Sequence, residues 1–205
     1  MITIFSSMTE KSDMKICSVI LAGGHSTRMG TNKALLPLGN KSVIEYIADE
    51  MESINSKVVI NSNNAAIFSH LGLPIIKDNY LDQGPLAGME AALSQVDVDI
   101  CIFSACDTPF VNRQVYYHLL GQLSEYDAVV PVYEDTMHPL SGIYRKRIAL
   151  RVRKQLAGGE RKVRKLFDHI NIKFVDEFGD IPPYVLVRHF FNMNNRAQYE
   201  KAKWL

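Results

Sequence analysis

The stretch Ser18-Val-Ile-Leu-Ala-Gly-Gly-His-Ser-Thr-Arg-Met-Gly-Thr-Asn-Lys33 decides how this chain is organised. Its β-branched start predicts a strand, and the strand stops at the pair Gly23-Gly24. Paired glycines let the backbone turn sharply and let amide N–H groups approach an anion closely. Two cations follow, of which Arg28 can bind two anionic oxygens at once and Lys33 supplies a point charge. We therefore expect a phosphate to bind at this strand–loop junction.

The loop differs from two common phosphate-binding motifs. A Walker A loop places Lys directly after its last Gly and follows it with Ser or Thr, whereas Thr31 and Asn32 precede Lys33 here and Ala34 follows it. A dinucleotide-binding loop has the spacing G-x-G-x-x-G, which these glycines do not match. An ordinary glycine turn with solvated charges remains the alternative interpretation.

Composition limits the class of protein. The chain has 205 residues and is 47% hydrophobic, which favours one well-cored domain over residues 15–205, after a flexible tail over residues 1–14. The net charge of +1 gives no electrostatic reason to expect nucleic acid or a membrane surface. No apolar run approaches the ~18 residues that cross a bilayer. Three cysteines without a C-x-x-C pair favour a reducing, cytoplasmic setting.

Strand and helix patterns alternate from Lys15 to about Val132, which predicts parallel strands with right-handed crossovers in a three-layer α/β fold. Strands are predicted at 16–21, 57–60, 74–77, 100–104 and 128–132. Helices are predicted after the capping box Ser42-Val-Ile-Glu45, from Pro85 to Gln95, and from an Asn112 cap to Leu123.

Polar or glycine-rich residues follow four of these strands, namely Leu21-Ala22-Gly23-Gly24, Asn61, Asp78 and Cys106-Asp107. In an open parallel sheet these positions meet on one rim, where ligands bind. Asp107 suits Mg²⁺, which takes one or two carboxylates plus substrate phosphates. Asp78 could accept hydrogen bonds from a base or ribose, and Asn61 could pair with a base edge. A purely structural role, such as capping a turn, is the alternative for each.

Two further motifs point toward the same rim. Gly84-Pro-Leu-Ala-Gly88 predicts a helix start whose missing side chains leave room for a nucleobase, although its glycines could equally serve helix–sheet packing. His138-Pro-Leu-Ser-Gly-Ile-Tyr144 predicts a loop that enters a strand returning toward the site. A single histidine such as His138 is more often a surface residue than a ligand.

Together these motifs resemble the molybdenum cofactor guanylyltransferase family, over roughly residues 16–200. The first loop looks like the signature loop of nucleotidyltransferases with a Rossmann-like, mostly parallel sheet. The motifs that narrow the resemblance are Gly84-Pro-Leu-Ala-Gly88, Cys106-Asp-Thr-Pro-Phe110 and His138-Pro-Leu140.

The resemblance implies an enzyme that transfers GMP from GTP to the phosphate of molybdopterin and releases pyrophosphate, with Mg²⁺ as its cofactor. Asp107 matches the metal position, and we expect Arg28, Lys33 and Asp107 to be catalytic. The predicted GTP-binding residues are Leu21, Ala22, Gly23, Gly24, Lys33, Asn61, Asp78, Gly84 and Asp107.

The second half of the chain departs more from the family. Phe191-Asn-Met-Asn194 matches its Asn-x-Asn element, expected near the pterin or the metal. The segment Ala157-Gly-Gly-Glu-Arg-Lys-Val163 resembles the family's Gly-Glu-Arg-Arg-Val loop. From these elements and the His138-Pro-Leu motif, we expect the acceptor to contact His138, Arg161, Asn192 and Asn194. Where the family continues Thr-Pro-Glu-Asp/Glu, this chain has Asn195-Arg-Ala-Gln198, in which a helix should survive. The segment 178–189 is longer than usual and has no predicted place.

The segment from Arg145 to Lys165 contains ten Lys or Arg residues and one acidic residue, Glu160. Solvated helix faces explain this charge. The alternative is an anionic ligand, either the pterin phosphate or a protein such as another cofactor-assembly protein or a recipient apoenzyme. Two other functions also stay open: a nucleotidyltransferase that uses CTP or a sugar-phosphate acceptor, and a non-catalytic GTP-binding assembly factor.

Overall fold

The computed structural model describes residues 14–23 and 32–205. The predicted site residues Gly24 and Arg28 lie outside the described residues, as do residues 1–13 of the predicted tail. Met14, the last residue of that predicted tail, packs against the core, and the Arg145 guanidinium lies 3.6 Å from its sulfur.

Ten strands and seven α-helices form within the described residues. The strands are β1 (Ile16–Leu21), β2 (Pro37–Leu38), β3 (Lys41–Ser42), β4 (Val58–Asn61), β5 (Ile75–Ile76), β6 (Ile100–Ala105), β7 (Ala128–Tyr133), β8 (Thr136–Met137), β9 (Ile143–Arg145) and β10 (Ile172–Val175). The helices are α1 (Val43–Ile54), α2 (Pro85–Gln95), α3 (Arg113–Gly121), α4 (Ala149–Ala157), α5 (Val163–Leu166), α6 (Pro183–His189) and α7 (Arg196–Ala202).

The main sheet has the strand order β10-β7-β9-β6-β1-β4-β5, and β8 pairs with β7 outside this row. Within the row, β9 runs antiparallel to both of its neighbours, whereas every other pairing is parallel. The prediction of a mostly parallel central sheet is therefore confirmed. The strands β2 and β3 form a separate antiparallel pair.

Alternate side chains of the central strands enter two different cores, because successive strand residues point to opposite faces. Ile20 of β1 packs on one face with residues of α1 and α3. Val19, its neighbour, packs on the other face with residues of α2 and α4. The sheet is thus a middle layer between two helical layers, as the alternating pattern predicted.

Local signals in the sequence explain where the helices begin. The Ser42 N–H donates to Glu45 Oε2 at 2.6 Å, which forms the predicted capping box of α1. The helix α2 has the predicted bounds, and Asn112 Oδ1 accepts the Gln114 N–H at 2.9 Å at the start of α3. The predicted end of α3 was wrong by two residues, because the chain tightens into 3₁₀-type bonds after Gly121.

The C-terminal segments complete the layer that contains α1 and α3. The segment without a predicted place contains α6, whose Val185 and His189 are buried. The predicted last helix is α7, and its capping box uses Asn195 and Gln198 in place of the family's acidic residue. None of the helices among residues 14–23 and 32–205 has the length and apolar character that crossing a membrane requires.

Candidate active site

The carboxyl ends of the central strands form a level rim. Leu21 at the end of β1 pairs with Asn61 of β4 on one side and with Ala105 of β6 on the other. Asn61 in turn pairs with Ile76 at the end of β5. Asp78 comes two residues after Ile76, and Asp107 comes two residues after Ala105. Both aspartates therefore lie just beyond the carboxyl ends of their strands, as the sequence predicted.

The two aspartates lie at opposite ends of this rim. The strands β5 and β6 are separated by β4 and β1, and three strand spacings amount to about 14 Å. That span is comparable with the distance from the base of an extended nucleotide to its phosphates. A single nucleotide that lies across the ends of β4 and β1 could therefore reach both aspartates.

Asp78 lies in a network of three hydrogen bonds at the β5 end. Asn61, which is buried, donates from Nδ2 to Asp78 Oδ1 at 2.8 Å. Asn63 donates from Nδ2 to Asp78 Oδ2 at 2.9 Å, and its Oδ1 accepts the Asp78 N–H at 3.0 Å. The structure therefore brings Asn61 and Asp78 together and adds Asn63, which sequence reasoning missed.

Gly88 in α2 makes room for the Asn61 side chain. A Cβ at Gly88 would lie 2.2 Å from Asn61 Oδ1 and 2.9 Å from Leu21 Cδ2, distances at which atoms overlap. Gly84 caps the N-terminus of α2, and its backbone has a φ of +68° that favours glycine. The glycines of this motif thus shape the rim as well as the helix start.

Asp107 is partly buried at the β6 end. Burial raises the pKa of its carboxyl, although the Lys33 charge, a backbone hydrogen bond and the Asn192 side chain oppose that rise. The Asp107 carbonyl accepts the Met193 N–H at 2.8 Å, so the segment 192–194 lies alongside it. The fold thus places the Lys33 charge and the Asn192 side chain, which are far away in the sequence, near enough to act on the Asp107 carboxyl.

Lys33 is positioned by a short 3₁₀ helix at residues Lys33–Leu35. Asn32 caps this turn, because its Oδ1 accepts the Ala34 N–H at 3.0 Å. Ala34 is fully buried against the core, which anchors the turn beside the rim. The ammonium group is consequently held near Asp107 by the fold.

The oxygen atoms near Asp107 fit a magnesium ion. Asn192 Oδ1 is buried and has no hydrogen-bond partner among the described residues, while the Asn192 side chain is close enough to Asp107 to lower the pKa of that carboxyl. An amide oxygen and a carboxylate are the hard ligands that Mg²⁺ prefers, and Mg²⁺ commonly completes its shell with water and substrate phosphates. Residues 14–23 and 32–205 contain no group of three or more His, Cys, Asp or Glu that could hold a metal without substrate.

The other predicted acceptor residues lie in different places. The His138 ring is half-buried at 4.6 Å from the Phe190 ring, and burial lowers the pKa of His138, with the Arg164 charge acting in the same direction. Arg161 donates from Nη1 to the Asp82 carbonyl at 3.3 Å, on the loop that precedes α2. Asn194 is exposed, and its N–H donates to Gln198 Oε1 at 2.6 Å. The described contacts therefore bring Asn192, of this predicted group, to Asp107.

Besides Arg161, five of the ten cations from Arg145 to Lys165 form ion pairs or hydrogen bonds with neighbouring elements. Arg153 forms an ion pair with Glu90, whose side chain is completely buried and also accepts hydrogen bonds from Asn79 and Ser94. Arg145, Lys146, Arg147 and Lys165 bind carbonyls or carboxylates of neighbouring elements. The exposed cations that form no ion pair within the described part of the chain are Arg151, Lys154, Arg161, Lys162 and Arg164.

Comparison with known proteins identifies the group to which this site belongs. The family model of the MobA-like NTP transferase domain matches residues 18–173, more than half of the chain. The chain belongs to the MobA-like NTP transferase family. Its curated relatives are named probable molybdenum cofactor guanylyltransferase. The relative from Carboxydothermus hydrogenoformans is 36% identical and is matched over 89% of this chain and 92% of its own length. The relative from Clostridium perfringens is 34% identical over 91% of this chain and 96% of its own length.

Solved structures of other proteins share the fold. Molybdopterin-guanine dinucleotide biosynthesis protein A from Archaeoglobus fulgidus superposes with a TM-score of 0.78 at 24% identity, covering 92% of this chain and 97% of that one. A CMP:2-keto-3-deoxy-manno-octonic acid synthetase, crystallised with CTP, superposes with a TM-score of 0.71 at 14% identity, covering 93% and 97%. The same sheet therefore occurs in proteins with different nucleotides, and the fold alone does not select the donor.

Proposed function

We propose that this nucleotidyltransferase transfers GMP from GTP to the phosphate of molybdopterin, with Mg²⁺ as its cofactor. The observation that carries the proposal is the cluster of Lys33, Asp107 and Asn192 at the β6 end of the rim. The cluster combines the Lys33 cation with two groups that offer oxygen ligands, the Asp107 carboxylate and the Asn192 amide. The Asn192 oxygen has no hydrogen-bond partner among the described residues. The curated guanylyltransferase relatives supply the choice of donor and acceptor.

The nucleotide extends along the rim in this proposal. Asp78 and Asn61 bind the nucleoside. The missing side chain at Gly84 leaves open space, whereas the one at Gly88 makes room for Asn61 itself. The backbone of Ala22 and Gly23 faces the phosphates, with Ala22 held by its N–H bond to the Asn61 carbonyl at 2.9 Å. From the sequence, Gly24 and Arg28 belong to this phosphate-binding loop as well.

The transfer is a substitution at the α-phosphorus of GTP. An oxygen of the acceptor phosphate forms the new P–O bond, while the bond to the α,β-bridging oxygen breaks and its electron pair leaves with pyrophosphate. Because the acceptor attacks directly, no residue of the chain needs to become covalently modified. Lys33 neutralises negative charge on the α-phosphate and the leaving group, and positioning supplies most of the remaining acceleration.

Asp107 and Asn192 would hold the magnesium ion, through a carboxylate oxygen and the unpartnered amide oxygen. When bound, Mg²⁺ neutralises phosphate charge and orients the phosphate groups. The raised pKa of Asp107 reflects an environment that favours a counter-ion, because a buried carboxylate is more stable beside positive charge.

The decisive experiment measures pyrophosphate release from GTP with purified protein, Mg²⁺ and molybdopterin, alongside a reaction without molybdopterin. We expect release that depends on both Mg²⁺ and the acceptor. Saturable GTP binding without any acceptor-dependent release would instead identify a non-catalytic GTP-binding assembly factor.

The choice of donor is tested by thermal unfolding with GTP, CTP, UTP or ATP in the presence of Mg²⁺. A ligand at 100 times its dissociation constant stabilises a protein by ~2.7 kcal/mol, which is easily measured as a shift in Tm. We expect GTP to give the largest shift. A larger shift with CTP or UTP would favour a cytidylyl- or uridylyltransferase with another acceptor.

The exposed cations Arg151, Lys154 and Arg164 support a further part of the proposal. They form no ion pair within the described residues, and Arg164 is close enough to His138 to lower its pKa. We assign them to contact with an anionic surface, such as that of another cofactor-assembly protein or a recipient apoenzyme in the cytoplasm. Replacing all three by Glu should weaken transfer of the product to a recipient apoenzyme without changing GTP affinity.

A further inference from the structure

The carboxylate of Asp78 is held from two sides by asparagines. Asn61 donates to Oδ1, and Asn63 donates to Oδ2. The Asn63 Oδ1 also accepts the backbone N–H of Asp78. The Asn63 amide is therefore bonded to Asp78 through both its nitrogen and its oxygen. This reciprocal pairing fixes the orientation of the Asn63 amide, because the reversed amide would face donor to donor.

The direct hydrogen bonds between Asn63 and Asp78 are not needed to satisfy these side chains. Asn63 is exposed and Asp78 is half-buried, so water could satisfy either side chain without a direct contact between them. Ordering both side chains costs rotamer entropy, and the structure nevertheless fixes the rotation of the carboxylate. Since a carboxylate oxygen accepts up to two hydrogen bonds, the asparagines leave one position open on each oxygen. A carboxylate that can accept one more hydrogen bond on each oxygen suits a ligand group with two adjacent donors.

We propose that Asn63 is a positioning residue that orients the Asp78 carboxylate toward two adjacent donors of the nucleotide. The inference rests on the proposed function, in which Asp78 binds the nucleoside of GTP. Two groups of GTP have this chemistry: the guanine edge with its N1–H and 2-amino group, and the ribose with its 2′- and 3′-hydroxyls. Asn63 acts through Asp78 and touches no reacting atom.

The first test compares GTP binding by calorimetry, in the presence of Mg²⁺ and without acceptor. Asn63→Ala should weaken GTP binding about tenfold, the effect of freeing a hydrogen-bonded charged group. In turnover assays the KM for GTP should rise similarly while kcat changes less than twofold. Asn64→Ala is the matched control, because Asn64 is the exposed neighbour and its side chain makes no cap hydrogen bond. We expect Asn64→Ala to bind GTP as the unchanged protein does.

A double-mutant cycle shows whether Asn63 works through Asp78. Asp78→Asn should weaken GTP binding on its own, and adding Asn63→Ala to it should have little further effect. Fully additive losses would overturn the proposal, because Asn63 would then act independently of the carboxylate. An unchanged GTP affinity in Asn63→Ala would overturn it as well.

Nucleotide analogues distinguish the two donor groups. ITP lacks the 2-amino group of guanine, and 2′-deoxy-GTP and 3′-deoxy-GTP each lack one ribose hydroxyl. The loss caused by Asn63→Ala should shrink for ITP if Asp78 binds the base, or for a deoxy analogue if it binds the ribose. Equal losses for GTP and all three analogues would contradict the proposal. Absence of GTP binding by the unchanged protein would overturn both this inference and the proposed function, whereas binding without pyrophosphate release would overturn the proposed function alone.

Discussion

Asp107 combines two opposing requirements in one side chain. The carboxylate must be ionised to bind a cation, yet its burial disfavours the ionised form and raises its pKa. Lys33 and Asn192 offset part of that penalty. A site of this kind is less stable without its ligand than an uncharged site would be, which is a common property of catalytic groups.

Removing either charge of this cluster should slow catalysis strongly. We expect Lys33→Ala and Asp107→Ala to fold and to release pyrophosphate ~10²–10³ times more slowly, as when one preorganised charge-stabilising group is lost. Lys57→Ala is a suitable control, because Lys57 is an exposed lysine just before β4, at the amino ends of the strands and away from the rim. Turnover within a few-fold of normal in either site variant would refute their catalytic assignment.

Asp107→Asn should separate stability from activity. The folded state raises the pKa of Asp107, so the folded protein at neutral pH contains a carboxylate that would be more stable in the unfolded chain. The neutral amide removes that cost. We therefore expect a Tm that rises by a few degrees in the absence of ligands, together with loss of turnover. A markedly lower Tm, measured by calorimetry without Mg²⁺ or nucleotide, would show that the ionised carboxylate stabilises the fold.

At the scale of elements, the packing of α2 against the end of β4 decides the shape of the nucleoside end. Gly88 is the residue of α2 that faces Asn61 and Leu21, and the sequence left open whether its role was packing or ligand space. The contacts support both roles, because the absent Cβ of Gly88 allows close packing and also lets Asn61 extend to Asp78. Helix packing and nucleotide binding depend here on the same missing atom.

Gly88→Ala should therefore damage both stability and nucleotide binding. Its Cβ would overlap Asn61 Oδ1 and Leu21 Cδ2, so Asn61 would have to rotate away from Asp78. We expect a stability loss of about 1–3 kcal/mol, typical of overpacking, and a clearly weaker affinity for GTP. Gly121→Ala is the control, since a Cβ at this helical glycine meets nothing within 4 Å. It should be neutral or slightly stabilising, and equal behaviour of the two variants would contradict the packing argument.

Prediction from sequence succeeded for elements with strong local signals. The β-branched run of β1, the capping box of α1 and Pro85 at the start of α2 act through neighbours in the chain, so their residues suffice to place them. The resemblance of Phe191-Asn-Met-Asn194 to a family element predicted Asn192 near the pterin or the metal. Its approach to Asp107 depends on long-range packing of the C-terminal segment, for which the chain has no local signal. Asn63 was missed for a related reason, although its two-residue spacing from Asn61 offered a hint.

At the scale of the whole molecule, His189 ties the C-terminal segment to the helical layer under the rim. Its Nδ1 accepts the Asn112 N–H at 2.9 Å, and its ring packs 5.2 Å from the Tyr116 ring. Its Nε2 is buried without a hydrogen-bond partner among the described residues. Burial, together with the nearby His138, lowers the pKa of His189 from 6.5 to about 3.

This histidine should make the protein sensitive to acid. Between pH 6.5 and about 3 the unfolded chain protonates His189 while the folded protein keeps it neutral, so stability falls as the pH decreases through this window. We expect His189→Asn, which keeps an acceptor for Asn112, to be less stable at pH 7.5 but to lose less stability between pH 7 and pH 5. The exposed His169→Asn is the control, and urea unfolding at each pH is the measurement. A pH dependence that is unchanged in His189→Asn would refute this assignment.

The central position of β1 also determines the order in which the protein can fold during its synthesis. The strand β1, which is the first among the described residues, acquires one partner in β4 and its other partner only in β6, since Ile16 pairs with Ile100. Such distant parallel pairing forms slowly, and an unpaired apolar strand promotes aggregation until it is covered. More than half of the chain's remaining length must then emerge before β9, β7 and β10 close the other side of the sheet. A nascent chain that stops before β6 therefore contains the apolar strand β1 with one edge unpaired. We expect chaperones and proteases to bind such a chain, which has no complete active site.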